Sequence, residues 1–494
     1  MNLSSIMVGR TGRVVSVIAL MLFSGLATAQ AWATSYPATL SSPIKIAGGG
    51  SQGDARDGDV MPDVAYDPVF QRYLAVFTTP RNAGGESDGL DVYGIFLDRQ
   101  GNPIGPEFRI SDRNIAARIG GPSVTNAGPG RFLVVWTQRK TCRLAAQLVT
   151  DSKSRPDLAL LSDSVPIHSA DVAYVPTSNS FVMSFVRGDD YLPPKMFGSN
   201  TADCGNNPDS TSRIELARFA LINNAPVITE RLPLTADHGA FRPQLARHSG
   251  TGSFMIAWED RRDSEEQPYR FDVYARGLSK NLVPQPGNIP LQIGSYYFND
   301  DDSATWTPRP IVTAGANGFL TAWFDHNVQP GGHLWTVLAR LIPLNGQPGA
   351  SFTAAKSSYG EAHPGSAPTG FLAGAWNPIA DEYLLGMSIF KETFVGYRPY
   401  VLVQRIDPTG KLLHLDGTAL TETDGGFPVD PDLDNQLYIA ITVNPWVNNS
   451  RSDYLLLYSK RAPIGGSRYP DIWSLRVGLP VSQGGYAYLP FLKR

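Results

Sequence analysis

Short apolar runs of five residues recur along the chain, and each run begins with an aromatic residue. No helical period fits them, and aromatic and β-branched residues between turn signals predict buried strands. Five copies are clear and two are weaker. In chain order they are Tyr73–Phe77, Phe132–Trp136, Phe181–Phe185, Phe254–Trp258, Phe319–Trp323, Tyr383–Met387 and Tyr454–Tyr458.

Each run forms part of a longer repeat. A turn that contains Pro or Gly precedes every copy, and another apolar segment precedes the turn, which predicts a hairpin. A third segment follows with alternating polarity, as in Asp91–Leu97 and Asp272–Leu278, and a short fourth one follows in places, as in Phe108–Ile110. The repeat therefore predicts a module of four antiparallel strands, which is the blade of a β-propeller.

The two ends of the repeat array predict how the ring closes. The seventh copy lacks a convincing fourth strand after Arg476, whereas Pro43–Ile46 has strand character but no module of its own. Pairing of this N-terminal strand with the last blade would protect both edges. We therefore predict an all-β, seven-bladed propeller over residues 40–480. The alternatives are six or eight blades, an open stack of sheets, or an irregular sandwich.

One repeat contains motifs that resemble a known group. Trp258-Glu-Asp260-Arg-Arg262 followed by Asp272-Val-Tyr-Ala275 fits the pattern W-x-D-x-R and D-[IV]-Y-A, and the other repeats fit it partly. In this respect the chain resembles secreted bacterial β-propeller repeat proteins, over about residues 43–479. The resemblance implies a fold and no particular activity, because many members of such a group have no assigned role. The tryptophans 136, 258 and 323 are expected to pack between blades.

The termini predict export. Arg10 and Arg13 precede the apolar stretch 14–26, and small residues then offer cleavage sites, so residues 1–31 are typical of a secretory signal peptide. An uncleaved membrane anchor is the alternative. The mature chain is expected to be extracellular or held at the cell surface, without a transmembrane anchor. The tail 481–494, which ends in Tyr-Leu-Pro-Phe-Leu-Lys-Arg, is either a surface-retention or export signal or an apolar segment packed on the propeller.

Composition narrows the range of partners. The formal net charge is −3 and no basic run occurs, which argues against a nucleic-acid partner. The chain has two cysteines, and export to an oxidising compartment favours a Cys142–Cys204 disulfide over two free thiols. We expect a monomer.

Charged residues concentrate in the loops that follow the second and fourth strands, which lie on one face of a propeller. Loops on a rigid scaffold are where binding sites concentrate. The predicted ligand-binding residues are Arg139, Asp189, Asp237, Asp260, Arg262, Asp325, His326 and Asp424. Asp300, Asp301 and Asp302 offer hard oxygen ligands for Ca²⁺, but they do not have EF-hand spacing, so no cofactor is otherwise expected.

Two functions fit these features. The first is a secreted, non-catalytic binding or scaffold propeller with a polar site at the central channel, where a glycan, peptide or protein would bind. The second is an extracellular glycoside hydrolase or lyase that uses Asp and Glu residues of the same face. The chain has no H-E-x-x-H motif, no G-x-S-x-G motif and no sialidase-type S-x-D-x-G-x-T-W box, and their absence favours binding.

Overall fold

The computed structural model describes residues 38–48, 60–79, 91–112, 121–138, 141–152, 158–188, 212–237, 239–262, 270–296, 308–329, 332–360, 371–393, 396–420, 426–430, 436–448, 451–461 and 470–480. Over these ranges the chain is all-β and forms seven small antiparallel sheets, in agreement with the prediction. No helix that could cross a membrane occurs in the described part of the chain.

The strands follow one another in blade order. Two strands precede the first blade, β1 (Thr39–Leu40) and β2 (Ile44–Ala47). Blade 1 comprises β3 (Val60–Asp67), β4 (Arg72–Thr79), β5 (Asp91–Asp98) and β6 (Phe108–Arg109). Blade 2 comprises β7 (Ser123–Asn126), β8 (Phe132–Gln138), β9 (Arg143–Val149) and β10 (Leu158–Leu161). Blade 3 comprises β11 (Ile167–Val175), β12 (Ser180–Arg187), β13 (Arg213–Ile222) and β14 (Ala225–Pro233).

The remaining blades keep this order. Blade 4 comprises β15 (Ala240–Arg247), β16 (Phe254–Asp260), β17 (Arg270–Leu278) and β18 (Ile289–Tyr296). Blade 5 comprises β19 (Ile311–Ala314), β20 (Gly318–Gln329), β21 (Gly332–Pro343) and β22 (Phe352–Gly360). Blade 6 comprises β23 (Leu372–Asn377), β24 (Glu382–Thr393), β25 (Gly396–Ile406), β26 (Leu412–Leu413) and β27 (Phe427–Pro428). Blade 7 begins with β28 (Gln436–Asn448), β29 (Arg451–Arg461) and β30 (Pro470–Pro480).

Blade 7 is completed by the N-terminal strands, as the sequence predicts. Strand β2 pairs antiparallel with β30, with Ile44 opposite Ser474 and Lys45 opposite Trp473, and β1 pairs further along the same strand. The ammonium of Lys45 lies 2.7 Å from a carboxylate oxygen of Asp471. The ring is therefore closed by backbone pairing between residues more than 400 positions apart in the chain.

The cores lie between blades as well as within them. The second strand of each blade is the most buried, and Trp258 and Trp323 have no exposed surface. Trp258 packs with Val186 and Ile214 of the preceding blade, and Trp323 packs with Met255 of blade 4. This supports the prediction that the repeated tryptophans are packing residues, because a side chain shut between two blades has no surface for a ligand.

Candidate functional site

The first strands of all seven blades surround a central channel of about 380 Å³. Blades 1–4 contribute polar and apolar residues in equal numbers, and blades 5–7 contribute mostly apolar ones. The polar side chains are Asp63, Ser123, Ser169, Asp171, Arg242 and Gln244, joined by Arg309 of blade 5; the largest apolar ones are Ile311, Leu372, Phe371, Tyr438 and Ile439. The channel thus has a polar side and an aromatic side.

A repeated backbone irregularity places these side chains. Five blades have a residue with left-handed φ at the start of the channel-lining segment or directly before it: Met61 (52°), Gly121 (67°), Ser169 (53°), Arg242 (47°) and Arg309 (44°). In blades 1, 3 and 4 the register of the first strand also shifts at this point, which is a β-bulge. A bulge turns the following side chains relative to strict alternation. At Gly121 a side chain would meet Cβ of Met61 at 2.9 Å, so this position also requires glycine for space.

Side chains close to the axis join successive blades. A carboxylate oxygen of Asp63 accepts the N–H of Val124 at 2.7 Å, and the Ser123 hydroxyl accepts that of Val172 at 3.3 Å. Asp171 accepts the N–H of Leu245 at 2.7 Å and the Ser123 hydroxyl proton at 2.9 Å. Four blades are thereby linked from side chain to main chain around the polar side of the channel.

Burial perturbs both carboxyl groups of this chain of hydrogen bonds. Loss of water around the group raises the pKa of Asp63 to about 7, although the amide of Val124 opposes the rise, and the nearby Asp171 raises it further. The pKa of Asp171 is raised by burial too, against hydrogen bonds from Leu245, Ser123 and Val172. Desolvation outweighs hydrogen bonding here because an anion is poorly stabilised in an enclosed, low-dielectric space.

Blades 4 and 5 place two arginines at the same end of the channel. Arg242 is ion-paired with the fully buried Glu259, with 2.6 Å between Nη1 and Oε2. The other oxygen of Glu259 accepts the backbone N–H of Arg309 at 2.8 Å, which links blade 4 to blade 5. The guanidinium of Arg309 lies 4.1 Å from the centre of the Phe371 ring, and that ring contacts the ring of Tyr438 with centroids 4.1 Å apart.

Two predicted site residues, Asp260 and Arg262, form a buried cluster with the motif tryptophan. Asp260 is completely buried, accepts the indole N–H of Trp258 at 2.9 Å and pairs with Arg262 through both oxygens. The guanidinium of Arg262 lies 4.1 Å above the ring of Tyr274, which stacks on Trp258. The W-x-D-x-R and D-V-Y-A residues thus bind one another within blade 4, and none of them lines the channel.

Asp325 occupies the corresponding place in blade 5. It is buried and accepts the Gln292 amide N–H at 3.1 Å, while the Gln292 oxygen accepts the Trp323 indole N–H at 3.3 Å. Gln292 belongs to β18, so this polar contact ties blade 4 to blade 5. His326 follows in β20, and its side chain is not among those described.

Asp237 lies in an ion-pair network away from the channel. Its half-exposed carboxylate is 3.2 Å from Nη1 of Arg213, which also contacts the buried Glu215. Arg231 contacts Glu215 as well and reaches Asp163, which has a lowered pKa because of its hydrogen bonds from Arg187 and Arg231. The acidic and basic groups balance, which indicates a structural surface network.

Several predicted residues lie outside the described part of the chain: Arg139, Asp189, Asp424, Asp300, Asp301, Asp302 and Cys204. The calcium site and the Cys142–Cys204 disulfide therefore stay predictions. The described residues contain no group of three or more His, Cys, Asp or Glu side chains with metal-site geometry.

The predicted site residues do not include those that line the channel, namely Asp63, Asp171, Arg242 and Arg309, or their partner Glu259. A signal for some of them was present. Asp63, Gln244 and Ser123 each follow a proline near the start of a first strand, in Met-Pro-Asp, Arg-Pro-Gln and Gly-Pro-Ser. Polar residues at a repeated position of an otherwise apolar strand indicate a special environment.

Comparisons with known proteins concern the fold. No protein-family model matches the chain, and no curated protein matches it. Among solved structures, an α-L-arabinofuranosidase, Arb93A from Fusarium graminearum, in complex with an iminosugar inhibitor is 9% identical, with a TM-score of 0.42 over 89% of this chain and 98% of that one. A subtype N11 neuraminidase-like protein of A/flat-faced bat/Peru/033/2010 (H18N11) is 9% identical, with a TM-score of 0.42 over 90% of this chain and 94% of that one. The parainfluenza virus 5 hemagglutinin-neuraminidase ectodomain is 9% identical, with a TM-score of 0.38 over 95% of each chain. Nothing about activity follows from likenesses at this level.

Proposed function

We propose that this protein is an exported, non-catalytic binding propeller that holds a small polar ligand, the terminal sugar of a glycan, at the mouth of its central channel. The observation that carries the proposal is the channel lining. One wall has half-buried polar groups and the other has the Phe371–Tyr438 aromatic pair. A volume of about 380 Å³ is within the range of small-ligand sites. A sugar ring has hydroxyls for the first wall and an apolar C–H face for the second.

The hydrogen bonds that the channel carboxylates accept support binding rather than hydrolysis. A glycosidase directs two carboxyl groups at the scissile bond. In this channel Asp63 and Asp171 accept hydrogen bonds from main-chain amides of the next blade, and Glu259 accepts from Arg242 and from the amide of Arg309. Each is held in place by protein donors and links two blades, so their primary role is to shape the channel.

Thermal denaturation with a panel of mono- and disaccharides and short peptides tests the proposal. We expect at least one saccharide to raise the melting temperature of the mature protein. Phe371→Leu should weaken that effect while the variant remains folded. Phe70→Leu is the matched control, because Phe70 is exposed in the turn on the opposite face. Failure of every compound, or an effect that Phe371→Leu leaves unchanged, would contradict the proposal.

A glycoside hydrolase is the second candidate, and one observation favours it. The raised pKa of Asp63, about 7, is in the range of a general acid at neutral pH. Incubation of the protein with labelled oligosaccharides separates the two functions. Hydrolysis that Asp63→Asn abolishes would establish the enzyme, and binding without product would support the binding protein.

Export remains part of the proposal. It is supported by the charged, apolar and small-residue segments at residues 1–31. The mass and N-terminal sequence of protein recovered from the medium test it, since cleavage after a small residue near position 31 is the expected result.

A further inference from the structure

We infer that the channel ligand carries a carboxylate group and that Arg309 binds it. This inference rests on the proposed function, because it names the chemistry of the ligand at the same site. The backbone of Arg309 has a φ of 44°. Non-glycine residues adopt this conformation rarely and only where the surroundings hold them in it. Here the Glu259 carboxylate accepts the Arg309 N–H at 2.8 Å and fixes the main chain.

The guanidinium of Arg309 differs from the other arginines of this region. Arg242 and Arg262 form ion pairs with Glu259 and Asp260. Within the described residues, Arg309 donates no side-chain hydrogen bond and forms no ion pair; its close contact is the face of Phe371 at 4.1 Å. Arg309 is half-buried in the channel lining, and a partly enclosed cation is stabilised when a ligand supplies a hydrogen-bonded counter-ion.

The electrostatics at Arg309 favour an anion. Burial lowers its pKa to about 10, and the neighbouring Arg242 acts in the same direction, so the group is still charged at neutral pH. Glu259 forms its ion pair with Arg242 and reaches Arg309 only through the backbone N–H, so the Arg309 guanidinium keeps its positive charge in the channel lining. An anionic ligand would neutralise this charge in an enclosed space, where the interaction is strong.

The surroundings of the guanidinium favour a carboxylate carried on an organic ring. The guanidinium presents a planar fork that matches the oxygens of a carboxylate or a phosphate, and it lies 4.1 Å from the centre of the Phe371 ring. The adjoining Phe371–Tyr438 pair provides an apolar surface beside it. A sugar acid has both a carboxylate and a ring with an apolar face, so it fits both features.

Calorimetric titration of the mature protein with matched ligands tests the inference. The probes are glucuronate, glucuronamide, glucose, succinate and inorganic phosphate. We expect glucuronate to bind at least about 10-fold more tightly than glucuronamide, as for loss of a charge-assisted hydrogen bond. Binding of succinate as tight as that of glucuronate would assign the site to organic acids in general. Tighter binding of phosphate would overturn the carboxylate assignment.

Substitutions at Arg309 separate a binding role from a structural one. Arg309→Lys keeps the charge but loses the fork, and should weaken glucuronate binding about 10- to 100-fold. Arg247→Lys is the control, since Arg247 ends β15, the strand that contains Arg242, and does not line the channel. Arg309→Gly should abolish binding and keep or raise the melting temperature, because glycine accepts the left-handed φ.

The outcomes distinguish the inference from the function on which it rests. Equal binding of glucose and glucuronate, sensitive to Phe371→Leu, would refute the carboxylate and keep the proposed function. Absence of binding by all saccharides would refute both. A large fall in melting temperature for Arg309→Gly would show that Arg309 holds the blades together and is not a ligand-binding residue.

Discussion

At the scale of single residues, opposing effects of burial and hydrogen bonding set the pKa of Asp63 in the channel. Asp63 receives two backbone hydrogen bonds, from Val64 at 2.8 Å and Val124 at 2.7 Å, and both favour the charged form. Removal from water, together with the proximity of Asp171, outweighs them. The residue that joins blades 1 and 2 is therefore more easily protonated than an ordinary aspartate.

This raised pKa predicts a pH dependence of stability. The pKa of Asp63 rises from 3.8 to about 7 on folding, so between these values the folded state holds a proton that the unfolded state has lost. Stability therefore falls as the pH rises from about 4 to 7, by up to about 1.4 kcal/mol per pH unit from this group. Asp63→Asn should flatten that part of the profile, measured by urea unfolding at several pH values.

The matched control has the opposite sign. The pKa of Asp416 is lowered by hydrogen bonds from Thr418, so its contribution is lost only as the pH falls below about 4. Asp416→Asn should leave the slope between pH 4 and 7 unchanged. An Asp63→Asn profile parallel to that of the wild type would show that Asp63 ionises normally.

At the scale of elements, the sequence predicts strands better than it predicts which way their side chains point. The aromatic run Phe254–Trp258 marks β16 because apolar content and period are local properties. The direction of the Asp63 and Asp171 side chains depends on bulges with left-handed residues at Met61 and Ser169, and strict alternation does not predict these. The candidate site was therefore sought in charged loops, whereas the described channel lining comes from the first strands.

Blade 6 contains a buried ion pair, and removing one partner measures the cost of leaving the other charge unpaired. Both oxygens of Glu382 in β24 pair with Arg405 in β25, at 2.9 and 2.8 Å, and neither side chain is more than 4% exposed. Glu382→Gln would leave the Arg405 charge buried without its counter-ion. We expect a loss of about 3–5 kcal/mol in the free energy of unfolding, measured by urea denaturation.

Two comparisons check this explanation. The partly exposed pair Arg218–Glu230 on blade 3 should lose less than about 1 kcal/mol on Glu230→Gln. The double variant Glu382→Leu/Arg405→Met removes both buried charges and should be more stable than Glu382→Gln. A Glu382→Gln protein as stable as the wild type would mean that the carbonyl groups of His414 and Leu415, which also accept from Arg405, suffice to hold the charge.

At the scale of the whole molecule, the prediction of ring closure rested on one short segment. Pro43–Ile46 had strand character and no blade, while the last repeat lacked a strand, and the structure pairs the two. This long-range contact was predictable because a closed ring leaves no open sheet edge. The ligand was not predictable in the same way, because a site made by seven separate first strands leaves no contiguous motif in the sequence.

Closure by residues 38–48 predicts that the ring can be opened and restored. A protein that begins after Gly48 lacks β1 and β2 and leaves the edge of β30 unpaired, so we expect a lower melting temperature and aggregation through that edge. A synthetic peptide of residues 38–48 should restore the melting temperature by adding as a strand to this edge.

A peptide with the same residues in scrambled order is the control. Unchanged stability of the shortened protein would show that three strands suffice for blade 7, and equal rescue by both peptides would show that register does not matter. Rescue by the native order alone is expected, because Ile46 and Ala47 are buried against the first blade and only that order places them there.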